Sequence, residues 1–259
     1  MTQPRLVTLL SDFGNRDVYV GVMKGVISAI APTTSVIDLT HEIPPQNLTA
    51  ARFALMNAYS YFPPYTVHVA VVDPGVGSDR RGVAIQMSEG FLVGADNGIF
   101  SGILGKNKAI AAVELNHTRY WRTPNPSTTF HGRDIFAPVG AHLATGVDLK
   151  ELGTEISLDS LVQLSLPEVM VEKEQITGCI QYIDVFGNLI TNMSEQNLPP
   201  NPQITIKEQL ISWGITYSDA QEQQLIAFVG SHGFLEIAVN RGDARQKLQV
   251  SIGELVFVY

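Results

Sequence analysis

The residues best suited to chemistry are an aspartate, a pair of arginines and a histidine in separate parts of the chain. Asp73 ends the apolar run at residues 67–72, the turn after it contains Pro74 and two glycines, and Arg80 and Arg81 follow. An arginine beside an aspartate keeps the carboxylate ionised, and the aspartate could then orient His131 or hold a water molecule. The residues indicate a hydrolase-like site but do not identify its substrate. The same segment is equally compatible with a structural turn whose charges face water.

Other acidic residues fall where small ligands usually bind. Asp12 follows an apolar segment at residues 6–10, and Asp17 lies just beyond it. In open α/β sheets the ligand crevice lies outside the carboxyl ends of the strands, so Asp12 and Asp73 are expected at one crevice. Asp12 could instead cap a helix, and Asp134, which follows His131, is well suited to be an N-cap.

The elements that must position these residues alternate in type. Strand, helix, strand, helix, strand predicts an N-terminal α/β domain with a central, mostly parallel sheet. The predicted strands are at residues 6–10, 35–39, 67–72, 82–87, 91–95 and 109–115. The predicted helices run from Asp17 to Pro32, over residues 47–61 and 135–144, with a short helical turn after residues 96–98.

The pattern changes after about Pro167, where long helical periodicity ends. Short apolar segments separated by turns predict a smaller C-terminal all-β domain that resembles a barrel. Its predicted strands are at residues 176–185, 189–191, 203–206, 227–229, 234–239 and 248–258. We therefore assign residues 1–167 to the α/β domain and residues 172–259 to the β domain. The Phe186-Gly187-Asn188 segment in the second domain is also typical of a hairpin turn.

Composition excludes several classes of function. The chain has 259 residues, 45% of them apolar, and a formal net charge of −8. This charge argues against nucleic acid or an anionic membrane surface as the main partner. The single cysteine, Cys179, is typical of a reducing compartment, and no apolar run approaches the length of a membrane span. The sequence predicts a cytoplasmic protein.

A series of short motifs extends over nearly the whole chain. They occur in the order Ser11-Asp12-Phe13-Gly14, Asp17 with Tyr19-Val20-Gly21, Asp73-Pro74-Gly75-Val76-Gly77, Asp96-Asn97-Gly98, Phe130-His131-Gly132-Arg133-Asp134, Asp184-Val185-Phe186-Gly187-Asn188, Ser231-His232-Gly233-Phe234 and Asn240. Each is weak alone, but the combination is specific. The series resembles the S-adenosyl-L-methionine hydroxide adenosyltransferases, or SAM hydrolases, which are relatives of the fluorinating and chlorinating enzymes.

The resemblance implies that S-adenosyl-L-methionine (SAM) and water give adenosine and methionine, by attack of an activated water at C5′ of the ribose. It implies Asp73, Arg80 and His131 as the catalytic set. Spacing from the Asp-Pro-Gly-Val-Gly turn makes Arg81 the less suitable arginine. No cofactor or metal is expected, because the sulfonium is already a good leaving group. The implied assembly is a homotrimer whose ligand site lies between the N-terminal domain of one subunit and the C-terminal domain of the next.

The same resemblance implies how the substrate is bound. Asp12 matches the acid that grips the two ribose hydroxyls, and Asp17 and Asp184 match acids near the methionine ammonium. Ser231 matches a contact to the methionine carboxylate. The residues that match the nucleoside contacts or belong to the same motifs are Tyr19, Phe186, Asn188, Phe234 and Asn240.

Three alternatives stay open. A SAM-dependent halogenase carries a tyrosine in place of Asp73 and a serine in place of Gly132, and an ionised Asp73 would repel a halide. A non-catalytic SAM or adenosine sensor would keep the pocket without turnover. A metal-dependent phosphoesterase would use Asp12, Asp73, His131 and Asp134 as ligands, but the histidine spacing does not favour it.

Overall fold

The chain forms two compact units. The structure, a computed structural model, describes residues 6–172 and 175–259. The first unit ends at Leu164 and the second begins at Ser165. The division therefore lies just before the predicted boundary region at residues 167–172.

The first unit contains a seven-stranded sheet with helices. Its strands are β1 (Val7–Ser11), β2 (Val36–Thr40), β3 (Thr66–Val71), β4 (Gly82–Met87), β5 (Gly90–Ala95), β6 (Ala109–Glu114) and β7 (Thr154–Ile156). Its helices are α1 (Tyr19–Ile30), α2 (Leu48–Tyr59), α3 (Ser101–Leu104) and α4 (Ala137–Ala144). A π-helical turn, Gly132–Phe136, precedes α4, and short 3₁₀ turns lie at Thr118–Tyr120, Leu149–Glu151 and Leu158–Ser160.

The strand order explains why the candidate residues meet. The sheet runs β2-β1-β3-β5-β4-β6-β7, with parallel pairing from β2 through β5 and antiparallel pairing beyond it. This confirms the predicted α/β class with a mostly parallel sheet. Both β1 and β3 are buried along their whole length, as expected for central parallel strands covered on both faces. Because Ser11 pairs with Val71, the segments that contain Asp12 and Asp73 leave the sheet side by side.

The first two helices differ from the predictions only at their ends. Helix α1 begins at Tyr19, not at Asp17, and contributes Met23 and Ile27 to the core. Helix α2 begins after Asn47, whose side chain accepts a hydrogen bond from the Ala50 N–H at 2.9 Å. This is an N-cap of the kind that asparagine favours.

The second unit is a β-barrel. Its strands are β8 (Met170–Glu172), β9 (Gln175–Ile183), β10 (Leu189–Ser194), β11 (Ile204–Ile206), β12 (Gln209–Trp213), β13 (Leu225–Val229), β14 (Phe234–Val239) and β15 (Leu255–Val258), and its helix is α5 (Ala244–Leu248). Short 3₁₀ turns lie at Glu195–Asn197 and Tyr217–Asp219. The strands β10-β14-β13-β12-β11-β15-β9 form a ring that the β9–β10 pairing closes, and β8 pairs with β9 outside it. The barrel-like prediction is confirmed.

The prediction of one continuous strand at residues 248–258 is wrong. Residues 244–248 form α5, and Asp243 caps its N-terminus with a carboxylate that accepts from the Gln246 N–H at 2.8 Å. Gln249 then takes a left-handed conformation, with φ 52°, and ends the helix. Leu248 and Val250 are buried, so their apolar alternation reflects packing at a helix end and not a strand.

None of the helices in the described part of the chain has the length and apolar character that crossing a membrane requires.

Candidate active site

The ends of β1 and β3 line a cavity of about 310 Å³ in the first unit. Asp12 follows β1, Asp73 follows β3 by two residues, and His131 immediately precedes the π-helical turn. The residues that line this cavity are Asp12, Phe13, Pro45, Gln46, Val71, Asp73, Pro74, Val76, Thr129, Phe130, His131 and Gly132. We call it the catalytic cavity. It lies at the carboxyl edge of the parallel strands, where ligands usually bind in such sheets.

Asp73, Arg80 and His131 are directly hydrogen-bonded. Arg80 Nε donates to Asp73 Oδ1 at 2.9 Å, and Arg80 Nη2 bonds the other carboxylate oxygen. The same Nη2 lies 2.6 Å from His131 Nδ1. The Arg80 and Asp73 side chains are only 12% and 6% exposed, so water screens this pair weakly. One guanidinium thus joins the carboxylate and the imidazole.

The turn after β3 brings Arg80 back to Asp73. The Val76 N–H bonds the Asp73 carbonyl, and the Ser78 N–H bonds the Gly75 carbonyl. Gly77 has a φ of 79°, and a Cβ there would lie 2.5 Å from the Thr128 carbonyl oxygen. Only glycine fits this close approach. The turn is therefore packed directly against the loop that precedes His131.

The hydrogen bond from Arg80 decides the tautomer of His131. A guanidinium has no acceptor, so His131 Nδ1 must accept and the proton of a neutral ring is on Nε2. Burial lowers the pKa of His131, and the Arg80 charge lowers it further, against weaker opposing effects of Asp73 and Asp134. His131 is thus held as a neutral ring with an Nε2–H donor.

The neighbouring Arg81 has different partners. Its Nε and Nη2 donate to Asp96 Oδ2 at 3.1 and 2.5 Å, and Nη2 also donates to the Ser160 carbonyl at 2.6 Å. Asp96 in turn accepts from the Val162 N–H at 2.9 Å. Arg81 therefore ties the residue 158–162 segment to the sheet and does not line the catalytic cavity.

Asp134 does not act as an N-cap, so that prediction is wrong. It lies inside the π-helical turn and its carboxylate is fully buried. It accepts from Arg122 Nε, from Arg133 Nε and Nη2, and from the Ser127 N–H, at 2.5 to 2.9 Å. Although burial raises the pKa of Asp134, the two arginines lower it more, to well below its ordinary range. Asp134 thus fastens the loop at residues 122–130 to the turn that His131 begins.

Replacing Asp134 with Asn is expected to lower the free energy of unfolding by about 2 kcal/mol, below the usual cost of breaking a buried ion pair because both arginines are partly exposed. Urea unfolding followed by circular dichroism would measure it. The matched control is Glu222→Gln, which breaks the exposed pair with Arg241 and should cost less than about 1 kcal/mol. Equal losses in the two variants would contradict the role given to Asp134.

An aromatic cluster lies beside Asp12. The rings of Phe13, Tyr19 and Phe130 have centroids 5.3 to 5.6 Å apart, and Phe13 and Phe130 line the catalytic cavity. Asp12 does not cap α1, because the residue at that position is Val18, and its Oδ2 instead accepts from the Gln46 N–H at 2.8 Å. Asp17 is exposed and does not line the cavity.

The second unit has its own cavity, of about 390 Å³. It is lined by Phe186, Asn188, Tyr217, Val239, Arg241 and Gly242. Asp184 Oδ1 accepts from the Phe186 and Asn188 N–H groups, and Asp184 Oδ2 accepts from Asn188 Nδ2, each at 2.9 Å. Asp184 therefore organises the turn and fixes the Asn188 side chain at the wall of this cavity.

The other predicted residues of the second unit do not line this cavity. Ser231 is exposed in a turn, Phe234 is buried in β14, and Asn240 Nδ2 donates to the Ala220 carbonyl at 2.7 Å. His232 Nδ1 accepts from the Phe234 N–H at 3.2 Å, so its Nε2 donates to the buried Glu236 at 3.0 Å. Their roles in ligand binding stay predictions.

Some lining residues received no role from the sequence. Gln46 and Thr129 lie outside the short motifs, and only the fold brings them to the catalytic cavity. Val76 belongs to the motif that begins at Asp73, so its place in the sequence could have identified it. Phe13 and Phe130 do lie within the short motifs, next to Asp12 and His131, which is the signal that could have identified them.

Comparison with known proteins gives consistent results. The family model for the SAM hydroxide adenosyltransferase N-terminal domain matches residues 7–153, and the model for the C-terminal domain matches residues 178–257. The chain is 38% identical to the (R)-S-adenosyl-L-methionine hydrolase of Salinispora tropica, over 96% of this chain and 95% of that protein. It is also 38% identical to the enzyme of the same name from Thermus thermophilus, over 96% and 97% of the two chains.

More distant and structural relatives agree with these matches. A fluorinase from Actinopolyspora mzabensis is 25% identical over 91% of this chain and 90% of that protein. The crystal structure of an uncharacterized conserved protein from Thermotoga maritima superposes with a TM-score of 0.91, at 34% identity over 97% and 99% of the two chains.

Proposed function

The chain belongs to the SAM hydroxide adenosyltransferase family, and we propose that it is an enzyme that hydrolyses SAM to adenosine and L-methionine. The observation that carries this proposal is that Arg80 bonds both Asp73 and His131, two residues that line the same cavity as Asp12. The hydrolase names of the more similar relatives support it.

The reaction asks little of the protein beyond placing a water molecule. The sulfonium departs as neutral methionine, so no acid is needed for the leaving group. A water must lie in line behind C5′, and correct positioning can remove several kcal/mol from such a barrier. We assign to Asp73 the role of accepting the water proton, and to His131 Nε2–H the role of donating a hydrogen bond to that water. Arg80 holds both side chains in place. The ionised Asp73 also favours hydroxide character as the attack proceeds.

The halogenase alternative fits this cavity less well. Asp73 occupies the position at which the halogenases carry a tyrosine, and its negative charge opposes a halide. A Cβ on Gly132 would lie 3.0 Å from Val71 Cγ1 and 3.3 Å from Met23 Sδ, so a serine there requires its neighbours to shift. The phosphoesterase alternative also loses its ligands, because Asp73 pairs with Arg80 and Asp134 with Arg122 and Arg133.

The finer parts of the proposal have separate support. Hydrolysis needs no metal or other cofactor, since the substrate brings its own leaving group. A contact with another subunit beside the second cavity is supported by the exposed Val185 and Phe186, which are 93% and 71% accessible, and the resemblance to the family makes that assembly a homotrimer. A cytoplasmic location is supported by the single, unpaired Cys179. The net charge of −8 suits a cationic substrate better than nucleic acid.

The test is incubation of the purified protein with SAM in halide-free, chelator-containing buffer made with ¹⁸O-water. Mass spectrometry is expected to find adenosine labelled at the 5′ oxygen, together with an equal amount of methionine. Bound but unchanged SAM would overturn the hydrolase proposal in favour of the sensor. A 5′-halogenated nucleoside formed after chloride or fluoride is added would favour the halogenase.

The pH dependence of kcat should report the state of His131. A proton on Nδ1 would face the Arg80 guanidinium and break their hydrogen bond, so only the neutral ring is competent. Since burial and Arg80 lower the pKa of His131, the ring stays neutral as pH falls through the ordinary value of about 6.5. We expect kcat to be constant above this value and to decline only at more acidic pH. His131→Gln should show a lower, flat profile over this range, and a midpoint above about 6.5 in the unaltered enzyme would contradict the assignment.

A further inference from the structure

A buried histidine outside the catalytic set lies at the end of β2. His41 Nδ1 is 2.7 Å from Ser11 Oγ, and His41 Nε2 is 3.0 Å from Asp38 Oδ1. Ser11, His41 and Asp38 are the residue types of a serine hydrolase triad. However, Ser11 is fully buried at the end of β1, so no substrate can reach its hydroxyl. The network must serve a purpose other than nucleophilic attack.

His41 contacts both ends of the turn that contains Asp12. Its ring bonds Ser11, which precedes Asp12, and its carbonyl oxygen accepts from the Gly14 N–H at 2.8 Å. Ser11 Oγ also accepts from the Phe13 N–H at 3.3 Å. The Asp12 backbone is therefore fixed on both sides by one residue.

The segment that follows His41 returns to the Asp12 side chain. Gln46 donates its N–H to Asp12 Oδ2 at 2.8 Å, and it does so from a left-handed conformation with φ 63°. Glutamine adopts this conformation only at some cost, so the surrounding contacts must hold it. Asp12 Oδ1 is left to accept hydrogen bonds in the catalytic cavity.

The other side of the His41 ring faces Asp38. His41 Nε2 lies 3.0 Å from Asp38 Oδ1, a close contact without hydrogen-bond geometry, so the hydrogen bond that holds the ring is the one between Nδ1 and the Ser11 hydroxyl. Lys24 Nζ lies 2.5 Å from Asp38 Oδ2 and holds that carboxylate on the outer side. The network thus runs from α1 through β2 to the residue before Asp12.

We propose that His41 is a positioning residue that orients the Asp12 carboxylate toward the ribose hydroxyls of the nucleoside. The inference rests on the proposed function, since it takes the ligand to be an adenine nucleoside. Its consequence is specific: His41 affects binding only through hydroxyls that can donate to Asp12. A general loss of stability would not distinguish a ribose from a deoxyribose.

The experiment compares adenosine with 2′,3′-dideoxyadenosine by calorimetry, in the full-length protein. The unaltered protein should prefer adenosine, and His41→Ala should reduce this preference about tenfold by weakening adenosine alone. His41→Asn places an amide oxygen near the Nδ1 position and should restore most of the preference. Steady-state turnover of SAM by His41→Ala should show a raised KM with kcat within about threefold.

The matched control is His68→Ala. His68 is also buried and also bonds a hydroxyl of β1 through Nδ1, that of Thr8 at 2.8 Å, but it does not line the catalytic cavity. This variant should keep the preference for adenosine. If His41→Ala does not fold, Ser11→Ala removes the same bond from its other side and should give the same result.

The inference is overturned if His41→Ala keeps the preference, if it weakens both nucleosides equally, or if the unaltered protein does not prefer adenosine. Failure of the proposed function looks different, because SAM would then not be consumed by the unaltered protein. A preference for adenosine that depends on His41 without turnover of SAM would support the inference and reject the hydrolase.

Discussion

Asp73→Asn is expected to lower kcat for SAM hydrolysis by about 10²-fold or more, while KM changes less than about threefold. The carboxylate accepts from two nitrogens of Arg80 through its two oxygens. Asparagine keeps the shape, but one oxygen becomes an NH₂ group that faces an Arg80 donor. The variant therefore loses both the acceptor for the water proton and the pairing that orients Arg80.

The control for this variant is Asp79→Asn. Asp79 lies in the same turn but is exposed, so its replacement should leave kcat within about twofold. Adenosine release would be followed by chromatography under saturating SAM. If Asp73→Asn turned over at the normal rate, Asp73 could not be the group that activates the water. Equal losses in both variants would indicate an effect on the turn itself and not on the chemistry.

The sequence predicts where the main site residues lie in the fold, because their placement depends on local patterns. Apolar runs of five or six residues followed by Asp12 and Asp73 are enough to place both acids at one edge of a parallel sheet. The short motifs then select His131 from the other histidines. None of this requires knowledge of contacts between distant residues.

The surroundings of Asp134 could not be predicted in the same way. The sequence places a helix at residues 135–144 and makes Asp134 its cap, because an aspartate before a helix usually has that role. Its actual partners include Arg122 and Ser127 in a loop without periodicity. A buried carboxylate between two arginines leaves no local pattern, so the π-helical turn appears only in the structure.

In the second unit, the strands could be predicted from the sequence but the helix could not. Its strands alternate clearly enough to predict a barrel, but the five-residue helix α5 is too short to give helical periodicity. The contact between His41 and Ser11 could not be predicted either, since nothing in the residues next to His41 along the chain indicates it. The role of His41 depends on the parallel pairing of β1 with β2, which brings the ends of the two strands together.

Arg80→Lys and Arg81→Lys should separate chemistry from structure at adjacent positions. Arg80 Nη2 is shared between Asp73 and His131, and Nε holds the second carboxylate oxygen. Lysine has a single terminal nitrogen and a shorter side chain, so it cannot reproduce this planar arrangement. We expect Arg80→Lys to lower kcat about 10²-fold, the size of loss that a misplacement of about 1 Å can cause.

Arg81→Lys should affect stability instead. Arg81 joins Asp96 to the Ser160 carbonyl, away from the catalytic cavity, so its replacement should leave kcat within about threefold. It should lower the unfolding temperature by a few degrees, which corresponds to a loss of about 1 kcal/mol in the free energy of unfolding. Thermal unfolding and steady-state kinetics on both variants test this pair. The reverse pattern would make Arg81 the catalytic arginine and would overturn the choice of Arg80.

Chemical rescue tests the same assignment without relying on lysine. Arg80→Ala removes the guanidinium but leaves Asp73 and His131 in the cavity, so added guanidinium ion can occupy the space between them. Turnover should recover in proportion to the guanidinium concentration, and methylammonium should rescue less because it lacks the planar pair of donors. Rescue of Arg81→Ala by guanidinium, with none for Arg80→Ala, would contradict the assignment. Because the ion can restore hydrogen bonds but not a lost fold, rescue would establish that Arg80 acts on the reacting groups.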